Sequence, residues 1–239
     1  MKTKSVFSII TLAAGLQFAT AGDITGVITL KGTPPPEVPN TYVMDEPTCG
    51  KLHTTTPTSH HYIVGANGGL ANVVVQLKGN GINGKSTGAS ATPVVMDQKG
   101  CLYEPQILAV QTGQKVMIKN SDPVAHNVHV NPTASENNQP NNSPTQMPNA
   151  ADVAMTFSKP EIFMKFQCDS HTWMFAWVTV VDSPYYALTG KDGKFTIKDV
   201  PPGEYTIVAL HRKVAPTGVE QKVTVTADGG KADFTLEVK

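Results

Sequence analysis

Short runs rich in Val, Ile, Thr and Phe recur along this chain between clusters of Gly, Pro and Asn, and almost no segment repeats its apolar residues at the period of a helix. That pattern restricts the chain to strands joined by turns, an all-β sandwich or barrel. Candidate strands cover residues 24–31, 71–78, 92–96, 107–110, 115–120, 127–130, 154–157, 161–167, 176–181, 194–197, 204–211, 221–226 and 232–238. With 239 residues there is room for one large domain or two ordinary ones. Residues 131–152 are loaded with Asn, Pro and Ser and predict a long surface loop, and Asp182-Ser-Pro184 marks the start of a new domain.

The chain opens on MKTKSVFSIITLAAGLQFATAGD, where Lys2 and Lys4 precede a largely apolar run from Val6 to Leu16 and Ala19-Thr-Ala21 supplies a small-x-small cleavage pattern. This predicts a signal peptide over residues 1–21, cut near Ala21, and a periplasmic or secreted protein. The run is too short and interrupted to span a bilayer, and no later segment offers a longer one, so no membrane span is expected. Basic and acidic residues both number 19; cleavage takes two of the basic ones, Lys2 and Lys4, leaving 17 against 19. No broad charge bias argues for a nucleic-acid partner, and none is expected.

Three cysteines are present: Cys49 in PTCGK, Cys101 in QKGCL and Cys168 in KFQCDSH. In an oxidising compartment an odd number leaves one thiol outside any pair. The loop-like settings of Cys49 and Cys101 favour a disulfide between them, with Cys168 free as a thiolate. Three reduced, buried thiols are the alternative.

The stretch KFQCDSHTWMF spaces Cys168, His171 and Met174 three residues apart at the end of a strand. Ile162, Met164, Phe166 and Cys168 alternate with Glu161, Lys165 and Gln167, which turns the sulfur toward the core. Soft and borderline donors of this kind suit copper rather than calcium or magnesium. A fourth donor comes from GQKVMIKNSDPVAHNVHV, where a strand ends at Asn120 and a short turn presents His126. Two imidazoles, a thiolate and a weak thioether make up the blue-copper donor set. His129 reads as a hydrogen-bonding or surface residue. His53, His60 and His61, in a Thr-rich segment with no cysteine or carboxylate cluster, are a weak second metal candidate. Trp173, Phe175 and Trp177 are expected to pack the sandwich end, with an aromatic beside His171 available to an electron-exchange surface, while His211 has no evident partner.

K-N-S-D-P-V-A-H-N-V-H followed by C-D-S-H-T-W-M resembles the cupredoxins of the amicyanin/plastocyanin type. The resemblance implies a Greek-key β-sandwich holding one type 1 copper through His126, Cys168, His171 and Met174, with the Asn127 backbone N–H donating to the Cys168 sulfur. Where the family often has proline beside the second histidine, this chain has Ser170 and Thr172. TGKDGKFTIKDVPPGEYTIVALH resembles the carboxypeptidase regulatory-like (transthyretin-like) β-sandwich, a fold-specific match that says nothing of activity. Strands near 24–31 and 70–77 look like the opening strands of that sandwich. The expected division is therefore an N-terminal β region over 22–93, a cupredoxin domain over 94–182 and a β-sandwich over 183–239, the first and last forming one discontinuous unit.

These readings imply an exported electron carrier that cycles copper between Cu(I) and Cu(II) with another exported redox protein, such as a cytochrome or a copper or quinone enzyme. An enzyme is not expected, because the sequence lacks the paired H-x-H motifs of multicopper oxidases and the extra histidines of copper nitrite reductases. Copper delivery, or partner docking through the second sandwich, is the alternative.

Overall fold

The computed structural model describes residues 20–79, 81–133 and 138–238, so the leader expected over 1–21 lies almost wholly outside the described residues. The strands are β1 (Gly22–Lys31), β2 (Val74–Lys78), β3 (Val94–Gln98), β4 (Tyr103–Glu104), β5 (Ile107–Gln111), β6 (Val116–Asn120), β7 (His129–Asn131), β8 (Asn141–Asn142), β9 (Val153–Met155), β10 (Glu161–Gln167), β11 (Phe175–Val181), β12 (Tyr186–Leu188), β13 (Lys194–Val200), β14 (Gly203–His211), β15 (Ala215–Val225), β16 (Gly230–Lys231) and β17 (Phe234–Glu237). One short helix, α1 (Thr41–Asp45), lies between β1 and β2.

The strands form two sandwiches. In the first, β1 is antiparallel to β13 and parallel to both β16 and β17, and the facing sheet has the order β12-β2-β14-β15. The first strand of the chain is thus held by the last ones. Alternation along β1 buries Ile24 and Ile28 completely, and they share a core with Leu70, Val75, Phe195, Ile197, Ile207 and Leu236. Gly26 is required where β1 passes its neighbours, since a Cβ there would lie 1.9 Å from the Ala232 carbonyl oxygen and 2.6 Å from the Phe195 ring.

In the second sandwich, the sheet β5-β11-β10-β7-β8 faces β4-β3-β6-β9. Its core holds Met96, Val110, Ile118, Met164, Phe166, Cys168 and Met174. A small cluster of Val74, Ala109, Phe163, Val208 and Leu210 joins the two sandwiches.

Two local expectations need correction. A register shift between Glu161 and Met164, with Phe163 at φ 51°, interrupts the alternation of β10. Beyond the bulge Met164, Phe166 and Cys168 point inward as expected, but Ile162 is 36% exposed and Glu161 is buried, where Thr133 and Asn138 donate to its carboxylate. The segment 131–152 is not simply a surface loop either. It contributes β8 to the sheet edge and sends Asn138, Ser143 and Gln146 into the interior, because each finds hydrogen-bond partners there that offset the loss of water.

Candidate metal centre

His126 enters the site on the turn after β6, and its backbone exchanges both hydrogen bonds with Gln146. Cys168 directly follows β10. The loop that returns to β11 is closed by two backbone bonds, from Cys168 N–H to the Met174 carbonyl at 3.0 Å and from Met174 N–H to the His171 carbonyl at 2.8 Å. Seven residues of loop, 168–174, held in this way bring Cys168, His171 and Met174 to one end of the sandwich at little cost in closure entropy.

Three of the expected donors converge. The Nδ1 atoms of His126 and His171 lie 3.0 Å apart, and Cys168 Sγ is 4.0 Å from the first and 3.6 Å from the second. Met174 is fully buried in the same apolar core as Cys168. Among the described residues the other close groups of potential metal donors each include a disulfide cysteine, Cys49 or Cys101. The histidines elsewhere take other roles: His53 Nε2 bonds the Gly100 carbonyl, His129 bonds Asp169, and His60 and His61 border a separate cavity.

The surroundings determine which atoms face the centre. Asp122, 5% exposed, accepts from His126 Nε2 at 2.9 Å, and this fixes the tautomer that leaves Nδ1 free toward the sulfur. The same carboxylate accepts from the N–H groups of Gly100 and Cys101 at 2.6 and 2.7 Å. Burial alone would lower the His126 pKa, but the bonds to Asp122 and Cys168 outweigh it and raise it. His171 is lowered, first by burial and then by His126. Burial likewise opposes the Cys168 thiolate, yet bonds from His126 and from the backbone N–H groups of Asn127, His171 and Ser170 hold the thiol below its ordinary value.

Asn127 braces the far side of the sulfur. Its Oδ1 lies 3.4 Å from Cys168 Sγ and accepts the Asp169 N–H, its Nδ2 donates to Asn142 and Asp169, and its carbonyl accepts from the buried Tyr103 hydroxyl. Cys49 and Cys101 form a disulfide whose sulfurs are fully buried, and Trp173 connects it to the centre: its indole N–H donates to the Cys101 carbonyl at 3.1 Å and its ring meets His171 edge-on at 5.1 Å. Sequence reasoning missed the roles of Asp122, Tyr103 and Gln146. Only Asp122 carried a signal, four residues before His126 across a turn.

A clustered thiolate and two imidazoles, with a thioether in the same core and a carboxylate orienting one ring, are donors that suit copper. This part of the chain is a β-sandwich with such a donor cluster at one end. The comparisons agree: residues 91–181 match the family of copper binding proteins described as plastocyanin/azurin, so the chain carries a cupredoxin domain. Residues 183–239 match the family described as BOS complex subunit NOMO1-like, second beta sandwich domain, a β-sandwich as expected.

Solved structures similar to the chain include a copper-containing nitrite reductase from Thermus scotoductus SA-01, at 21% identity and TM-score 0.34, covering 38% of this chain and 23% of that one. A Cu(I) amicyanin variant matches at 19% identity and TM-score 0.33, over 44% of this chain and 97% of the other. A purple cupredoxin from Nitrosopumilus maritimus matches at 23% identity and TM-score 0.30, over 36% and 98%. The chain thus spans about a quarter of the nitrite reductase it matches. No curated protein matches the chain.

Proposed function

We propose that His126, Cys168, His171 and Met174 hold one type 1 copper ion, and that the protein is an exported outer-sphere electron carrier rather than an enzyme. The observation that carries this reading is the convergence of Cys168 Sγ with both imidazole Nδ1 atoms, the donor set described above. Bound copper would supply a one-electron Cu(I)/Cu(II) couple. The chain's own residues keep the site rigid: Asp122 orients His126, Asn127 presents its N–H to the sulfur, and the two loop bonds fix Met174 relative to Cys168. With four donors from the protein no position is left for a substrate. His171 is half-buried whereas His126 is fully enclosed, so the partner, an exported cytochrome or a copper or quinone enzyme, would approach at the His171 edge beside Trp173.

Export after removal of residues 1–21 agrees with the Cys49–Cys101 disulfide, a bond that persists in oxidising compartments. Among the described residues no helix is long and apolar enough to cross a membrane. In this reading residues 22–93 and 183–239 form the outer sandwich and 94–182 the inserted cupredoxin domain, consistent with the pairing of β1 with β13, β16 and β17.

The test is the visible absorption and paramagnetic resonance spectrum of the mature protein with Cu(II), compared with Cys168→Ser. An intense thiolate-to-copper charge-transfer band with narrow copper hyperfine splitting, absent in the variant, is the expected result. An ordinary Cu(II) spectrum indifferent to the substitution would remove Cys168 from the site. Ready loss of copper to a mild chelator would favour a delivery role over electron transfer.

A further inference from the structure

A separate cavity with a cluster of basic side chains in its lining lies away from the centre just described. It occupies about 180 Å³ between the β14–β15 turn of one sandwich and the Trp177 edge of the other, and His60 and His61 close it from a third side. Its fixed charges are Arg212 and Lys213, and no carboxylate lines it. The Arg212 guanidinium lies 4.0 Å over the Trp177 ring. Such stacking holds the planar fork in place while leaving its N–H groups free to donate. Among the described residues neither Arg212 nor Lys213 forms an ion pair.

His211 adds a neutral donor. It is 2% exposed, and its Nδ1 accepts from the backbone N–H groups of Lys213 and Val214, so the proton of the neutral ring resides on Nε2. No hydrogen bond to that Nε2 is found among the described residues. The Glu37 carboxylate accepts from Ser59 Oγ and from the N–H groups of His61 and Tyr62, while Asp97 and Glu104 line the adjoining cleft rather than the cavity. Burial and then the Lys213 charge depress His61, with Arg212 adding to the effect and Glu37 partly opposing it. The cavity also shares His60, His61, Gln106 and Phe175 with a wider cleft that provides a path to solvent.

We infer that this cavity binds a small oxyanion of phosphate type, received by the Arg212 fork, the Lys213 ammonium and the His211 Nε2–H. Two fixed positive charges without a carboxylate match a dianion better than a monovalent carboxylate, and a planar fork suits paired oxygens. The site is independent of the copper reading.

The full mature chain is titrated with inorganic phosphate at ionic strength held constant with chloride, following the ring resonances of His61 and His211, with acetate as a parallel arm. Saturable shifts in phosphate that are absent in chloride are expected, with affinity at least about tenfold lower in Arg212→Gln and partly retained in Arg212→Lys. Lys222→Gln, on a surface facing a different cavity, should bind like the parent. Non-saturable shifts, or equal phosphate affinity in folded Arg212→Gln and Lys213→Gln, would overturn the site. Tighter binding of acetate than of phosphate would overturn the dianion assignment.

Discussion

Asp122 accepts from His126 Nε2 at 2.9 Å, with the two side chains 3% and 0% exposed. The bond holds the imidazole so that Nδ1 faces Cys168, and the N–H groups of Gly100 and Cys101 hold the carboxylate in turn. Asp122→Asn keeps the volume but removes the charge and places an amide before at least one of those donors. Partners of this kind change metal affinity by roughly 10–100-fold. Copper affinity, measured by competition with a chelator, should fall by that amount in Asp122→Asn, while folding by far-UV dichroism is retained. Unchanged affinity would mean that Gln146 and the turn alone position His126.

The disulfide should contribute stability rather than colour. Cys49 and Cys101 are 52 residues apart in sequence, and the loop-closure relation gives about 4 kcal/mol for a bridge of that span. Cys49→Ala with Cys101→Ala is expected to lower the denaturant midpoint accordingly, with an upper limit near that figure. The Trp173 N–H loses none of its partner, because the acceptor is the Cys101 backbone carbonyl. A charge-transfer band that survives in the double variant would therefore separate the two roles, whereas loss of the band with the fold intact would make the bridge part of the centre.

What was legible in the sequence was local. Donor spacing could be read because Cys168, His171 and Met174 lie on one short loop, and the inward face of Met164, Phe166 and Cys168 follows from two-residue alternation. The bulge at Phe163 could not be read, since it arises from the register of β10 against β11 and reverses the faces of only Glu161 and Ile162. Gln146 was hidden for a similar reason. It sits in an Asn- and Pro-rich segment with every local mark of a loop, and its burial depends on Gln98, Asn120 and His126, all brought to it by tertiary structure. The joining of β1 to β16 and β17, at opposite ends of the chain, was suggested only by the resemblance of those strands to one sandwich type.

Gly26 tests that joining. A Cβ at this position meets the Ala232 carbonyl and the Phe195 ring well inside contact distance, so Gly26→Ala forces β1 away from its neighbours. Overpacking of this type costs about 1–3 kcal/mol. Trp173 lies beside His171, whereas Trp177 packs against Arg212 of the other sandwich, so in a Trp177→Phe background fluorescence reports the cupredoxin domain while far-UV dichroism reports the whole chain. In Gly26→Ala the dichroism transition should move to lower denaturant by more than the fluorescence transition. Equal movement would show that the sandwiches unfold as one unit through the cluster around Val74 and Phe163.

His211 makes stability depend on acid. Burial, and to a lesser degree the charge of His61, push its pKa down to about 4 from an ordinary 6.5. The unfolded chain therefore takes up a proton before the folded one does, so this contribution is complete above about pH 6.5, is lost as pH falls toward 4, and changes no further below that. At 1.36 kcal/mol per pH unit the loss reaches about 3 kcal/mol at most. His61, also lowered, adds in the same direction. Urea unfolding at a series of pH values should show stability declining across this window, with a shallower decline in His211→Gln, which keeps a side chain of similar reach but cannot titrate. If the variant and the parent lose stability at the same rate, the imidazole takes up its proton as readily in the folded chain as in the unfolded one, and its charge must be accommodated by the polar groups of the cavity it lines.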